Sequence, residues 1–292
     1  KKPLSEFVTL DKQPAIDAVN TAATEKISAI NSTPNATDEE KAAAVAKVNA
    51  DKEKALTAIN DANVTTKEAL NEAQNNGTTA IASHNPVVSK KADAKVAIEA
   101  ARKAKADAIK ANPNLTDDEK TAAIAKANDA ATAATTKIDN ATTNIAVEDA
   151  QNEATTAIGK VNPVAKAAAK KAITDELTAK NTELDNRQDL SQKEKDDAKA
   201  EAKKLADSEL AKINAQPDNA DTPEAAATAQ TAVNDAKDKG VADVKAVNPV
   251  AKEAAKKAIA DELAEKEKAI ARRTDLTDAE KEAAKAKIKG AN

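Results

Sequence analysis

Four times along this chain a hydroxyl residue is followed three positions later by glutamate, each time in a segment of the same form. The segments are "ATDEEK" at 36–41, "LTDDEK" at 115–120, "LSQKEK" at 190–195 and "LTDAEK" at 276–281. The pairs are Thr37/Glu40, Thr116/Glu119, Ser191/Glu194 and Thr277/Glu280. This is the spacing of a capping box: the hydroxyl accepts from an orphan N–H in the first helical turn, and the carboxylate reaches back to the N–H of the cap residue. Four such boxes predict four helix starts and a chain built from repeats.

A second mark has nearly the same period. "NPV" occurs at Asn85-Pro86-Val87, Asn162-Pro163-Val164 and Asn248-Pro249-Val250, at intervals of 77 and 86 residues. Asparagine is a good N-cap, proline is favoured at the first helical position, and proline disfavours helical geometry in the residue before it. Each NPV is therefore expected to end one helix and open the next with little or no loop, so that Asn85, Pro86, Asn162, Pro163, Asn248 and Pro249 are the joints between repeats. A third signal precedes each joint, where Gly77, Ala154 and Gly240 fall in register, as do Ile81, Ile158 and Val244. Glycine inside a helical pattern costs about 1 kcal/mol, so its placement predicts a close helix crossing or a slight bend.

Apolar spacing supports three helices per repeat. Ile173, Leu177 and Leu184 recur as Ile259, Leu263 and Ile270, at intervals of four and seven that share one helical face. Val45, Val48, Leu56 and Ile59 form a similar row. No stretch alternates in the manner of a strand. The predicted division is a lead-in over 1–13, three-helix repeats over 14–84, 85–161 and 162–247, and a truncated fourth repeat over 248–292. The first helix is expected near Pro14 to Ile30. The third repeat carries extra residues, Asn214 to Ala225, where Thr222-Pro223 reads as a further cap and first-position proline. The chain begins and ends mid-pattern, which predicts a segment of something longer.

Composition sets the kind of core. The sequence has no Cys, Met, Trp or Tyr, a single Phe (Phe7) and four Gly, while alanine dominates its apolar residues. Alanine buries little area, and at about 25 cal/mol per Å² each contact contributes little. Thin, repeated helix contacts are therefore expected in place of one large core. The fold class expected is all-α: tandem three-helix bundle repeats in an elongated array, each contacting mainly its neighbours. At 1.5 Å per residue a helix of about 25 residues is about 37 Å long, and the whole array would span roughly 120–150 Å.

The residues offer little chemistry. With 45 basic and 49 acidic residues interspersed along the chain, no basic surface for nucleic acid is expected, and no apolar run reaches the ~20 residues of a membrane span. His84 is the only histidine, too little for a His-based metal site or an oriented catalytic base; it is expected at a helix end beside a joint. Asp218, Asn219, Asp221 and Glu224 lack the spacing and central glycine of a calcium loop and read as a polar connection. Asp117/Asp118 and Asp196/Asp197 lie in the first turns of capped helices, where acids favour the macrodipole. No catalytic residue, no cofactor and no metal is therefore expected, and the chain is not expected to be an enzyme.

The order of these motifs carries a resemblance. A-x-x-A-I, then A/L-T-x-x-E-K-x-x-A, then G-x-x-A-I, then N-P is similar to the helical repeat catalogued as domain of unknown function 1542, found in surface proteins of Gram-positive bacteria. The first repeat matches best, and the likeness runs from about residue 14 to the end; Ala154 in place of glycine and the insertion near Pro217 depart from it. The resemblance implies a cell-wall-anchored adhesin, extracellular, tied to attachment and biofilm formation. Repetition, balanced charge, helical rise and the lack of pocket chemistry lead us to expect a stalk or spacer projecting a distal binding domain. The alternative is a module whose helix faces bind host proteins such as matrix components, fibrinogen or fibronectin, with avidity from tandem copies. Arg102, Arg187, Arg272 and Arg273 form no aromatic–arginine cluster of hot-spot type. The partners expected are the neighbouring repeats of the same chain, then host matrix proteins or the same protein on other cells.

Overall fold

The recurring capping boxes each open a helix in the computed structural model, which describes residues 1–2 and 9–291. Residues 3–8 of the lead-in, Phe7 among them, lie outside the described residues. Helix takes up 76 % of the described residues, so nearly all of their remaining backbone is connection. The first trio is α1 (Gln13–Asn31), α2 (Asp38–Asn60) and α3 (Lys67–Ala82); the second is α4 (Lys90–Lys110), α5 (Asp117–Asn140) and α6 (Asn144–Gly159). The third is α7 (Ala167–Asp185), α8 (Gln192–Ala215) and α9 (Pro223–Lys245), followed by a pair, α10 (Glu253–Ala271) and α11 (Asp278–Ala291). The described chain is an all-α array of helical repeats. It forms two compact units, one of residues 1–111 and 122–161, the other of 112–121 and 162–292.

In the first unit, the core of the first trio joins Val19 and Ile30 of α1, Val48 and Ile59 of α2, and Leu70 and Ile81 of α3. Alanines complete the seam: Ala44 and Ala55 are buried with Val48 and Ile59, whereas Val45 and Leu56 lie at the edge. The buried row is thus displaced from the one that the larger side chains suggest. Small residues let helix axes approach, and the larger ones fill the flanks. In the second trio, Ile98 of α4, Ala131, Ala134 and Ile138 of α5, and Val147, Ala154 and Ile158 of α6 form the core.

In the second unit, Ile173 of α7, Ala202, Ala206 and Ile213 of α8, and Val233, Ala236 and Val244 of α9 pack together. Buried positions on α8 at 198, 202, 206, 209 and 213 follow the three-four spacing of a coiled-coil seam. Glycine allows the closest crossings. A Cβ on Gly77 would lie 2.4 Å from Ala55 Cβ, and one on Gly240 would lie 2.9 Å from Ile173 Cδ1.

Lysines close the helix ends. The Nζ of Lys12, Lys91 and Lys166, each at the start of a trio, donates to Asp61 O (3.0 Å), Asp139 O (3.2 Å) and Gln216 O (2.6 Å). Each thereby occupies a terminal carbonyl of the second helix that has no intrahelical partner. Thr222 Oγ1 accepts from Ala225 N–H at 3.1 Å, and Pro223 opens α9.

Two features differ from the sequence expectation. NPV does not join helices directly: seven-residue connectors, 83–89, 160–166 and 246–252, separate the trios. The helices after them open at Lys90, Ala167 and Glu253, with Ser89, Lys166 and Lys252 at the N-cap and no side-chain cap bond. Asn85, Asn162 and Asn248 are therefore not N-caps, and Pro86, Pro163 and Pro249 are not first helical residues. Proline needs no N–H partner in an extended connector. There is also a short strand pair, β1 (Asn162–Pro163) and β2 (Asn219–Ala220), antiparallel, where the inserted loop lies along the extended connector. Val164 is 2 % exposed beneath that loop, against 73 % for Val87 and 68 % for Val250.

Candidate functional site: the joint between repeats

The capping-box glutamates each have two oxygens, and at three joints the two do different work. Glu40 Oε1 accepts from Thr37 N–H at 2.9 Å while Thr37 Oγ1 accepts from Glu40 N–H at 3.2 Å. Its Oε2 accepts from Ser89 N–H at 2.8 Å and Lys90 N–H at 3.2 Å, at the start of α4. Within the second unit, Glu119 Oε1 accepts from Thr116 N–H at 3.0 Å, and its Oε2 from Lys166 N–H at 2.9 Å and Ala167 N–H at 3.3 Å. Glu194 repeats this with Ser191 N–H at 3.0 Å on one oxygen and Lys252 N–H at 2.9 Å on the other. Glu280 makes only the local part of the pattern, Thr277 N–H at 3.2 Å and Thr277 Oγ1 accepting in return at 3.2 Å.

One carboxylate thus caps two helices, its own and the first helix of the next repeat. Helix N-termini carry unpaired N–H groups and partial positive charge, so an anion between two of them answers both. This explains why Ser89, Lys166 and Lys252 need no side-chain cap of their own. The ionised form is favoured accordingly. For Glu40 and Glu119 burial is the largest single effect and raises the pKa, but the N–H groups of both helices together outweigh it and hold the pKa below the usual glutamate value. For Glu194 the Lys252 N–H is the leading cause of a lowered pKa, followed by Ser191.

Cations hold the connector. Lys26 Nζ donates to Asn85 Oδ1 at 2.9 Å. Its counterpart in the third trio, Lys180, is 4 % exposed and donates to Lys245 O and Val247 O, both at 2.9 Å. Arg187 is braced against Asp189 and donates to Asn248 Oδ1 and Pro249 O, each at 3.1 Å. Asn162 Nδ2 donates to Ala220 O at 3.1 Å. The joint asparagines are thus held from outside their own connectors.

The first joint has a further set of bonds. Thr37 Oγ1 donates to Asn144 Oδ1 at 2.6 Å, Asp38 N–H to Thr142 O at 2.8 Å, and Asn144 N–H to Glu39 Oε2 at 2.9 Å. These tie the start of α2 to the start of α6. At the third joint Ser191 Oγ donates to Glu253 Oε2 at 2.5 Å. His84, within the first connector, pairs with Asp51 through Nε2.

The second carboxylate oxygen, Lys26, Lys180 and Arg187 did not stand out in the sequence. A signal for the last two is the recurrence of Lys180 and of Arg187-x-Asp189 as Lys266 and Arg273-x-Asp275. Among the described residues no group of three or more His, Cys, Asp or Glu side chains is arranged to hold a metal ion, and no helix is long and apolar enough to cross a membrane.

The profile of the family described as Domain of Unknown Function (DUF1542) matches two consecutive stretches, residues 11–89 and 90–166. Its internal boundary falls between Ser89 and Lys90, the two residues whose N–H groups Glu40 holds. No curated protein and no solved structure matches the chain. Since the two matched stretches cover more than half of the sequence and meet at the joint, the chain belongs to the DUF1542 family.

Proposed function

We propose that this chain is a spacer segment of a bacterial cell-surface adhesin, holding a distal binding domain away from the cell wall. The observation that carries the reading is the two-armed glutamate, present at Glu40, Glu119 and Glu194. A carboxylate shared by two helix N-termini, as at Glu40 within the first unit and Glu194 within the second, ties the entry of a repeat to the one before it, as a spacer requires. Balanced, interspersed charge suits helix faces that meet water along a long surface. Family membership and its resemblance to repeats of Gram-positive surface proteins support the extracellular, wall-anchored setting.

Small-angle X-ray scattering on the 292-residue chain tests it. A compact globule of this size has a radius of gyration of about 19 Å, and a rod built from the helical rise has roughly 35–45 Å. The larger value is expected. A value near the smaller one would sink the spacer reading.

A further inference from the structure

Gly77 and Gly240 occupy the same register, each buried on the third helix of its trio. They differ in the residue before them. Lys239 precedes Gly240 and pairs with Asp243 one turn on, and Glu153, before the equivalent Ala154, pairs with Lys137. Asn76 precedes Gly77, and this is the one Asn-Gly pair in the sequence. The Asn76 side chain is exposed. Gly77 lies on the seam, where an added Cβ would be 2.4 Å from Ala55 Cβ and 3.6 Å from Val19 Cγ2.

The side-chain amide carbon of an asparagine can close a succinimide ring with the backbone nitrogen of the next residue. A glycine there offers no Cβ to obstruct the closure and leaves the backbone free to turn into it. Within α3 two things prevent the reaction. The Gly77 N–H is committed to the carbonyl four residues back, as in any helix interior. Helical ψ, about −42°, also keeps that nitrogen from meeting the Asn76 side-chain carbon. Both restraints last only as long as α3 stays packed on α2.

We infer that Asn76-Gly77 is a spontaneous modification site gated by the α2–α3 crossing. It converts when α3 opens, and the isoaspartyl product does not close the crossing again. The Gly77 nitrogen gives up its proton to water and bonds to Asn76 Cγ, the Cγ–NH2 bond breaks, and ammonia leaves with a proton taken from water. Water then adds to one of the two imide carbonyls and breaks its bond to nitrogen, which gives aspartate or isoaspartate. Isoaspartate carries the main chain through Cβ and Cγ and so adds one backbone atom. Gly77 then no longer stands opposite Ala55 while Leu70 and Ile81 keep their places in the core. A modified open state leaves the folding equilibrium, so the product accumulates as a record of opening in the first trio. The third trio has the same close crossing without the reactive pair. None of this depends on the chain being a spacer.

Incubation of the full chain in mildly alkaline buffer, with and without urea, tests the inference. Peptide mass spectrometry reads the amide-to-acid conversion, and enzymatic methylation reads isoaspartate. Asn76 should convert before the other asparagines, and at least about tenfold more slowly in the folded chain than in urea, because such a reaction follows the population of the open form. Leu70→Ala, which loosens the first core, should speed conversion by about the factor by which it speeds amide exchange over 77–81. Asn76→Gln, at an exposed position, should fold and stay unmodified. The isoaspartyl chain should lose exchange protection over 67–82 and keep it over 167–245. Asn76→Asp, which has the charge without the added backbone atom, should keep both. Equal rates with and without urea would overturn the gating, and another asparagine converting first would overturn the site. An isoaspartyl chain that keeps its protection over 67–82 would show that the crossing closes again, against the proposal.

Discussion

Glu40 and Lys90 stand fifty positions apart, yet the Glu40 carboxylate accepts from the Lys90 backbone N–H at 3.2 Å and from Ser89 at 2.8 Å. The other oxygen stays on Thr37. This separates two roles that one substitution can pull apart. In Glu40→Gln the amide oxygen can remain on the Thr37 N–H, but an NH2 group then faces the N–H groups of Ser89 and Lys90. The α2 cap should persist, and the joint should lose on the order of 1 kcal/mol. Amide exchange resolved by residue is the check: faster at Ser89 and Lys90, unchanged through 41–44. Equal acceleration at both places would mean that the two arms are not separable.

Acid should act on the same groups. Burial works to raise the pKa of Glu40 and Glu119, but the surrounding N–H groups outweigh it, and the Lys252 N–H leads in lowering that of Glu194. A carboxyl whose pKa is lower in the folded chain than in the unfolded chain stabilises the fold fully above the unfolded value, about 4.3. That contribution is lost as pH falls through the folded value. The melting temperature should therefore hold from pH 7 to about pH 5 and fall below about pH 4. A chain carrying Gln at 40, 119 and 194 should start lower at pH 7 and lose less on acidification. Parallel curves for the two chains would assign the acid sensitivity to other carboxylates.

How far the sequence carried this picture depends on the range of each interaction. Thr37/Glu40 is legible because a capping box closes within three residues. The second oxygen of Glu40 is not, since its partners are backbone groups about fifty residues away and no side-chain identity marks them. Asn85-Pro86 looked like a cap and a first helical turn on sound local grounds. The next helix instead takes its cap from the preceding repeat, so the asparagine is released to accept from Lys26. Ile173 and Leu184 were readable by spacing and are buried. Ala44 and Ala55 were not, because alanine gives no contrast in a chain so rich in it. Lys180 reads as a solvated lysine, whereas its ammonium is taken by the carbonyls of Lys245 and Val247 and by the Glu183 carboxylate at 3.0 Å.

Lys180 should accordingly be costly to replace. Lys180→Met keeps the apolar stem and removes the donor from Lys245 O and Val247 O. Leaving such acceptors without a partner costs about 1–3 kcal/mol, and the last turn of α9 should exchange faster. Lys26→Met, at the equivalent but only half-buried position where the bond made is to a side chain, should change stability by less than about 0.5 kcal/mol. Urea unfolding of the two variants checks the contrast, and similar losses would remove the special role assigned to Lys180.

Gly77 and Gly159 are both helical, and the same substitution should have opposite signs at the two. Neither has positive φ, so backbone strain does not enter. Alanine gains up to about 1 kcal/mol over glycine in a helix interior. At Gly159 nothing lies within 4 Å of the added Cβ, and Gly159→Ala should stabilise by a few tenths of that scale, about 0.3–0.5 kcal/mol, at a helix end. At Gly77 the added Cβ falls 2.4 Å from Ala55 Cβ, so α3 must move off α2, a strain of about 1–3 kcal/mol. The net effect of Gly77→Ala should be destabilising by about 1 kcal/mol once the helix preference is subtracted. Removing the opposing methyl tests the cause directly. Ala55→Gly costs helix preference by itself, but combined with Gly77→Ala it should recover stability relative to the sum of the two single changes, a coupling of at least about 1 kcal/mol. Simple additivity in that cycle would mean that the close crossing of α2 and α3 is not what glycine serves.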